Sequence, residues 1–160
     1  MAALSDYLES GLLHHVFRGG SFAKPSNISI ALTSGVPNDS QTGTTIEEVS
    51  SGDGTTLSGY SRFTLGDPSS VGDAKWTYTA ADNAAGSGII KNAVDITFSQ
   101  ATLDWGKISG VVVLDSATHS THPTDNPGNV LMHAELDNSR NVYIGDSVKF
   151  AAGTLQISFK

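Results

Sequence analysis

The stretch Ile108-Ser109-Gly110-Val111-Val112-Val113-Leu114 decides the fold, because apart from Ser109 it places an apolar or small residue at every position. Side chains of a β-strand point alternately to its two faces, so a strand with this pattern is covered on both faces. The segment therefore predicts a strand in the centre of a sheet or between two layers.

Shorter segments with strand patterning lie on both sides of this stretch, and glycine or proline turns separate them. Ile28, Ile30 and Leu32 alternate with small or polar residues, which predicts a half-buried strand. About eight or nine short strands at this spacing, with no helix between them, predict an antiparallel sandwich or barrel. The other predicted strands are 60–65, 75–80, 94–98, 129–136, 142–144, 148–150 and 154–159.

One helix is predicted ahead of the strands, because Leu4, Leu8 and Leu12 recur at helical spacing in a segment that ends at about Phe17. An apolar stripe left exposed would be a liability for a monomer. The helix is therefore expected either to pack on the core of its own domain or to dock on a neighbouring subunit.

Length and composition limit the classes of function. A chain of 160 residues is long enough for one domain with its own core, and we divide it into a helix or arm at 1–20 and a single β domain at 21–160. A net charge of −7 repels a phosphate backbone, so no nucleic-acid partner is expected. No apolar run approaches the roughly 20 residues of a membrane-spanning helix, so no membrane partner is expected. The absence of cysteine from the sequence excludes disulfides and thiol chemistry.

One histidine-rich loop suggests an enzyme. His119 and His122, with Asp125 and the later His133, could ligate zinc. The His119–His122 pair lies beside prolines, however, and lacks the helical geometry that aligns two imidazoles. Glu47 and Glu48 are neighbours in a polar loop, whereas a general-acid pair needs carboxylates that converge from different elements. We therefore expect no catalytic residue, no metal, no cofactor and no small-molecule substrate.

Three aromatic residues, Trp76, Tyr78 and Trp105, could form a platform for a sugar ring, as in a carbohydrate-binding module. Alternation places Trp76 and Tyr78 on the same face of a strand, but it does not say whether that face is inside. Packing in the core is the favoured interpretation of these side chains.

Four stretches, read in order, span nearly the whole chain. They are Leu4-Ser5-Asp6-Tyr7-Leu8-Glu9 with the segment that follows to Thr33, then Glu48-Val49-Ser50 with Gly59-Tyr60-Ser61-Arg62 and Trp76, then Asn92 to Leu136 around Trp105-Gly106, and last Val142 to Ile157 around Gly145-Asp146. In this order and spacing they resemble a family of small tailed-phage virion proteins that are commonly labelled phage tail fibre proteins.

The resemblance implies a jelly-roll-like β-sandwich, assembly as a homotrimer and a structural role in the particle, and it offers no catalytic residues to transfer. The sequence departs from the family at residues 50–58 and 116–128, which are longer than the compact turns expected there. Such loops would change which neighbour is contacted without changing the core.

The functional prediction is a non-enzymatic virion protein, assembled in the host cytoplasm, and most concretely a homotrimeric capsid decoration or cement protein. It would bind the outer surface of the head and clamp copies of the major capsid protein or of another virion protein. The alternatives are a tail fibre or tail adaptor component and a carbohydrate-binding module. The expected partner contacts are Leu4, Tyr7, Leu8 and Leu12 on the helix and Glu47 and Val49 in the loop at 34–59.

Overall fold

The computed structural model describes residues 3–52, 56–77, 89–119 and 125–158. Within these ranges the helices are α1 (Asp6–Arg18) and α2 (Pro68–Lys75). The strands described there are β1 (Ala3–Leu4), β2 (Ile28–Thr33), β3 (Phe63–Gly66), β4 (Trp76–Thr77), β5 (Ile89–Asn92), β6 (Ile96–Thr97), β7 (Gly106–Leu114), β8 (Val130–Val142), β9 (Lys149–Phe150) and β10 (Gln156–Ser158).

β7 lies at the centre of the main sheet, whose strand order is β1-β8-β7-β2-β3 with every pair antiparallel. On one side Val113 of β7 pairs with Ile30 of β2, and on the other side it pairs with Met132 of β8. Every residue from Ile108 to Leu114 is buried. The predicted core strand is therefore confirmed.

One face of the main sheet packs against two smaller antiparallel sheets, β10-β5-β4 and β6-β9. Val111 and Val113 of β7 share a hydrophobic cluster with Trp76 of β4, Ile96 of β6 and Ile157 of β10. Non-local strand pairing of this kind, rather than helix packing, carries most of the core.

The other face of the main sheet is covered by the loop that follows β2. The prediction that β2 is half-buried is wrong, because Ser29, Ala31 and Thr33 are buried as well as the apolar residues between them. Small side chains on this face let the loop approach closely. The second hydrophobic cluster, which includes one residue of that loop, consists of Ala31, Ile46, Val112, Leu114 and Val130.

The N-terminal helix is present, but it begins later than predicted. Leu4 belongs to β1, where it pairs with Met132 of β8, and the helix begins at Asp6. It ends at Arg18, before Gly19, whose φ of 68° lies in the left-handed region that glycine adopts readily. The boundary that we assign between residues 20 and 21 stays a prediction.

α2 lies between β3 and β4, so the expectation that no helix separates the strands is wrong. Asp67 precedes it as the N-cap, because its Oδ1 accepts a hydrogen bond from the backbone N–H of Ser69 at 2.7 Å. The same hydrogen bond lowers the pKa of Asp67. Pro68 occupies the first helical position, where no N–H is needed.

β8 is one long strand, whereas the sequence predicts a strand that ends at residue 136 and a second strand at 142–144. Ile108 of β7 pairs with Arg140, but Gly110 pairs with Glu135, so residues 136–139 lie opposite a single residue of β7. This bulge interrupts the alternation of side chains. The interruption explains why the strand pattern in the sequence ends at Leu136. The prediction of a second strand at 142–144 is wrong, because β8 ends at Val142 and Ile144 lies in a turn.

The fold is mainly β, with antiparallel sheets and an N-terminal helix, as predicted. The jelly-roll topology stays a prediction. Residues 78–80 of a predicted strand and Phe159 of the last one lie outside the described residues. Neither helix within the described ranges is long and apolar enough to cross a membrane.

Gly110→Ala tests the close packing of the loop on β7. A Cβ at Gly110 would overlap the Pro37 ring and the Thr33 hydroxyl. Overpacking of this kind costs about 1–3 kcal/mol. We expect urea denaturation to show that loss in the free energy of unfolding, whereas Thr64→Ala, at an exposed position of β3, changes it by no more than about 0.5 kcal/mol. Equal stability of the two variants would contradict the packing described here.

Candidate functional site

The base of α1 is fixed to the edge of the main sheet. Ser5, which is fully buried, caps the helix by accepting a hydrogen bond from the backbone N–H of Leu8 at 3.2 Å. The same hydroxyl donates to the carbonyl oxygen of Val130. The backbone N–H of Ser5 donates to the carbonyl oxygen of Leu131 at 3.1 Å. The backbone N–H of Asp6 also donates a hydrogen bond, to the carbonyl oxygen of Asp39 at 2.9 Å. The helix therefore starts from a rigid anchor.

The far end of α1 is exposed and apolar. Leu13, Val16 and Phe17 are 58%, 65% and 77% exposed, and no residue of the helix is fully buried. Residues at positions i, i+3 and i+4 lie on one face of a helix, so these three side chains form a single patch. We call Leu13, Val16 and Phe17 the helix tip.

A returning segment packs along α1. Gly20 donates its backbone N–H to the carbonyl oxygen of His14 at 3.1 Å, and the chain then runs back along α1. The ring of Phe22 packs on that of Tyr7, with 5.8 Å between ring centres, and lies over Gly11 where a Cβ would collide with it. α1 is thus held along its length as well as at its base.

The four N-terminal residues expected to contact a partner, one in β1 and three in α1, lie mostly on the face that rests on the protein. Leu4 and Leu8 are partly buried against the main cluster, and Leu12 is half-buried. Tyr7 is 43% exposed, although Phe22 covers one side of its ring. The larger exposed patch is the helix tip, which our sequence reasoning missed. Its i, i+3, i+4 spacing was visible in the sequence behind the stronger leucine pattern.

The loop that follows β2 places its two expected contact residues differently. Glu47 is exposed, so its side chain is available to a partner. Val49 is 2% exposed and packs in the main cluster, and its backbone N–H donates to the carbonyl oxygen of Leu32 at 3.0 Å. Of the pair, Glu47 alone presents side-chain surface.

Arg62 is fully buried at its side chain and is paired with Glu48. Its Nε donates to Glu48 Oε1 at 2.9 Å, and its Nη2 donates to Oε2 at 2.7 Å. The remaining Nη1 donates to the carbonyl oxygens of Ser116 and Pro127 at 3.0 and 2.7 Å. One side chain therefore connects the loop after β2 with both ends of the loop between β7 and β8.

Tyr60 and His119 extend this polar cluster. The Tyr60 hydroxyl accepts from the backbone N–H of Leu32 and donates to Glu48 Oε1, both at 3.0 Å. Burial raises the pKa of Tyr60 well above its ordinary value, and the Glu48 carboxylate raises it further. His119 Nε2 lies 3.0 Å from the carbonyl oxygen of Val49, so that nitrogen carries the proton. These groups form hydrogen bonds with one another and with the backbone, which hold the loops in one arrangement. We call Arg62, Glu48, Tyr60 and His119 the clamp.

The predicted zinc ligands are not brought together in the described part of the chain. No group of three or more histidine, aspartate and glutamate side chains there could hold a metal ion. His119 contacts Val49 and the edge of the Tyr60 ring instead. His122 lies outside the described residues.

Trp76 and Trp105, expected either in a sugar platform or in the core, lie in the core at 9% and 8% exposed. Trp105 Nε1 donates to the carbonyl oxygen of Ser58 at 2.7 Å, and the Trp105 ring meets that of Tyr60 edge to face. Tyr78 lies outside the described residues. The carbohydrate-binding alternative thus loses both tryptophans of its platform.

A groove of about 320 Å³ lies where β8 faces β9 and β10. Its apolar lining includes Leu136, Phe150 and Leu155, and the exposed acidic residues Glu135 and Asp137 also line it. We call this the β8 groove. Its β8 lining runs from Met132 to Asp137 and so reaches the first residues of the β8 bulge.

The model of one protein family, the podophage GP4 fiber I protein gp80 family, matches residues 3–158. The chain belongs to this family. The match covers the elements from β1 to β10 and confirms the resemblance to tailed-phage virion structural proteins. No curated protein matches the chain.

Membership of the gp80 family makes the chain a component of the virion particle. The family description names a structural fibre protein and not an enzyme class. Within a gp80-family subunit, the surfaces available for contact with neighbours include the helix tip, Glu47 and the β8 groove.

Arg62→Met tests the clamp. The substitution leaves the Glu48 carboxylate buried without its cation, and breaking a buried ion pair in this way costs about 3–5 kcal/mol. We expect that loss of unfolding free energy in denaturant titrations, with a smaller loss in the double variant Arg62→Met/Glu48→Gln. Lys149→Met removes the exposed ion pair with Asp95 and serves as the control, with stability close to wild type. If Arg62→Met were no worse than this control, the clamp would not matter to the fold.

Tyr60 gives the protein a stability that declines in alkali. The unfolded chain loses the phenol proton near pH 10, whereas the folded protein keeps it because the pKa of Tyr60 is raised. This contribution is complete below about pH 10 and is lost above it, at up to about 1.4 kcal/mol per pH unit. Ultraviolet absorbance should show a tyrosine that ionises only as the protein unfolds.

Tyr60→Phe should abolish that unfolding-linked absorbance change. Tyr143→Phe, which removes an exposed phenol, should leave it in place. Retention of the change in Tyr60→Phe would assign it to another residue.

Proposed function

We propose that this chain is a subunit of a virion fibre that assembles as a homotrimer and acts by contact with neighbouring chains. The observation that carries the proposal is the helix tip, a patch of three large apolar side chains at the end of an anchored helix. Exposed apolar patches of this kind mark interaction sites on proteins. The family description, which names a fibre protein, supports the fibre over the head decoration that the sequence analysis placed first.

Energetic considerations favour a repeated contact over a single one. Complete burial of one large apolar side chain contributes about 1.5–3 kcal/mol. Because Leu13, Val16 and Phe17 are 58%, 65% and 77% exposed before docking, the helix tip contributes roughly 3–6 kcal/mol. Association costs an estimated 4–15 kcal/mol in lost translational and rotational freedom. One such contact therefore lies near the threshold of stable binding. A closed trimer repeats the contact and raises the effective concentration of its partners.

Glu47 offers a second contact with another virion chain. It is exposed on a loop that the clamp and the β2 backbone hold in place, so a partner would meet a fixed charge. Val49 is left out of the proposed contact because its side chain is buried in the core of the same chain.

Decoration of the head, by binding the major capsid protein, is the second candidate function. It is favoured by the described residues, which form sheets packed around two hydrophobic clusters and not the repeating segments of a long shaft. A subunit of this shape can cover a surface as readily as it can end or join a fibre.

Electron microscopy of native particles, with a gold-labelled antibody against this chain, separates the two locations. We expect label on tail fibres or at the attachment point of a fibre. Label confined to the head would reject the fibre and support decoration, whereas particles without the chain would reject both. Particles that lack this gene product, treated with the same antibody, are the control.

A further inference from the structure

We propose that the helix tip of one copy binds in the β8 groove of a second copy, so that copies of this chain join head to tail. The inference deepens the proposed function, on which it rests, by naming the partner and the receiving surface. The two surfaces belong to different elements of the same chain, α1 on one side and β8 with its neighbours on the other.

Shape and polarity support this pairing. The β8 groove has a volume of about 320 Å³ and apolar lining from Leu136, Phe150 and Leu155. Protein pockets that hold small molecules measure roughly 300–1,000 Å³, so the β8 groove has room for one aromatic side chain. Phe17, which is 77% exposed, is the largest such group that the helix tip presents.

Charge supports it as well. Arg18 follows the helix tip and is exposed, while Glu135 and Asp137 line the β8 groove and are exposed. In the part of the chain that the structure describes, none of the three forms an ion pair. A positive group at the helix tip is notable in a chain of net charge −7, and it meets its complement at the groove.

A copy does not fill its own groove. Ser5 fixes the base of α1 to β8, and the helix carries its tip away from that anchor by roughly 1.5 Å per residue. The exposure of the helix tip shows that the same chain does not cover it. A contact between two different surfaces is heterologous, and such contacts either close into a ring or continue as a filament. A ring of three copies is the form that agrees with the proposed homotrimer.

Charge reversal tests the pairing through the oligomeric state of the full-length chain, read by native mass spectrometry and light scattering. We expect three copies for the wild type and one copy for Arg18→Glu and for Glu135→Lys/Asp137→Lys. Combining all three substitutions in one chain should restore the three-copy species, because the reversed charges again attract. Val36→Ser, at a 55% exposed apolar residue outside both surfaces, is the matched control and should remain trimeric.

Each contrary outcome is specific. If the groove variant stays trimeric while Phe17→Ser does not, the helix tips pair with one another and the head-to-tail inference is wrong. If the triple variant is folded, as circular dichroism would show, but remains monomeric, the charge complementarity is wrong and so is the inference. A wild-type chain that is monomeric at every concentration overturns the trimer too. None of these results changes the outcome of the gold-label electron microscopy, which tests the location of the chain in the particle independently.

Discussion

A guanidinium group that has lost its water needs an acceptor for its N–H groups, and the described structure depends on how Arg62 finds them. The acceptors are the Glu48 carboxylate and the carbonyl oxygens of Ser116 and Pro127, which belong to loops far apart in sequence. A buried ion pair adds little net stability compared with well-packed apolar groups, but an incomplete one is costly. The pair therefore selects one arrangement of these loops over others.

That arrangement has consequences for the core. The loop held by Glu48 also supplies Ile46, which covers one face of β7 and β2. Tyr60 bonds both to Glu48 and to the backbone of β2, so the clamp and the sheet share a hydrogen-bond network. Most of β2 and β7 can thus be buried on both faces although one of the covering layers is a loop and not a sheet.

The sequence predicts this fold where the pattern is local and fails where a distant segment decides. β7 was evident because its own residues are apolar on both faces. β2 was misjudged because small residues such as Ser29 and Thr33 look solvent-facing, and only the loop that lies over them makes them buried. α2 was missed because Asp67 and Pro68 are as typical of a turn as of a helix start. The partners of Arg62 could not have been deduced, since two loops that are far apart in sequence supply them.

The charge and the exposed apolar groups of the surface determine how such a subunit associates. Net negative charge makes copies repel one another at long range, but at physiological ionic strength this repulsion is screened beyond about 8 Å. Attraction must therefore come from short-range apolar contact with a few well-placed charges, which is what an apolar helix tip beside Arg18 provides. A rigid anchor at Ser5 matters here because a flexible arm would lose conformational entropy on docking, whereas a fixed one has already lost it during folding. In a virion, where neighbouring subunits are held at high effective concentration, a contact of modest strength is then sufficient.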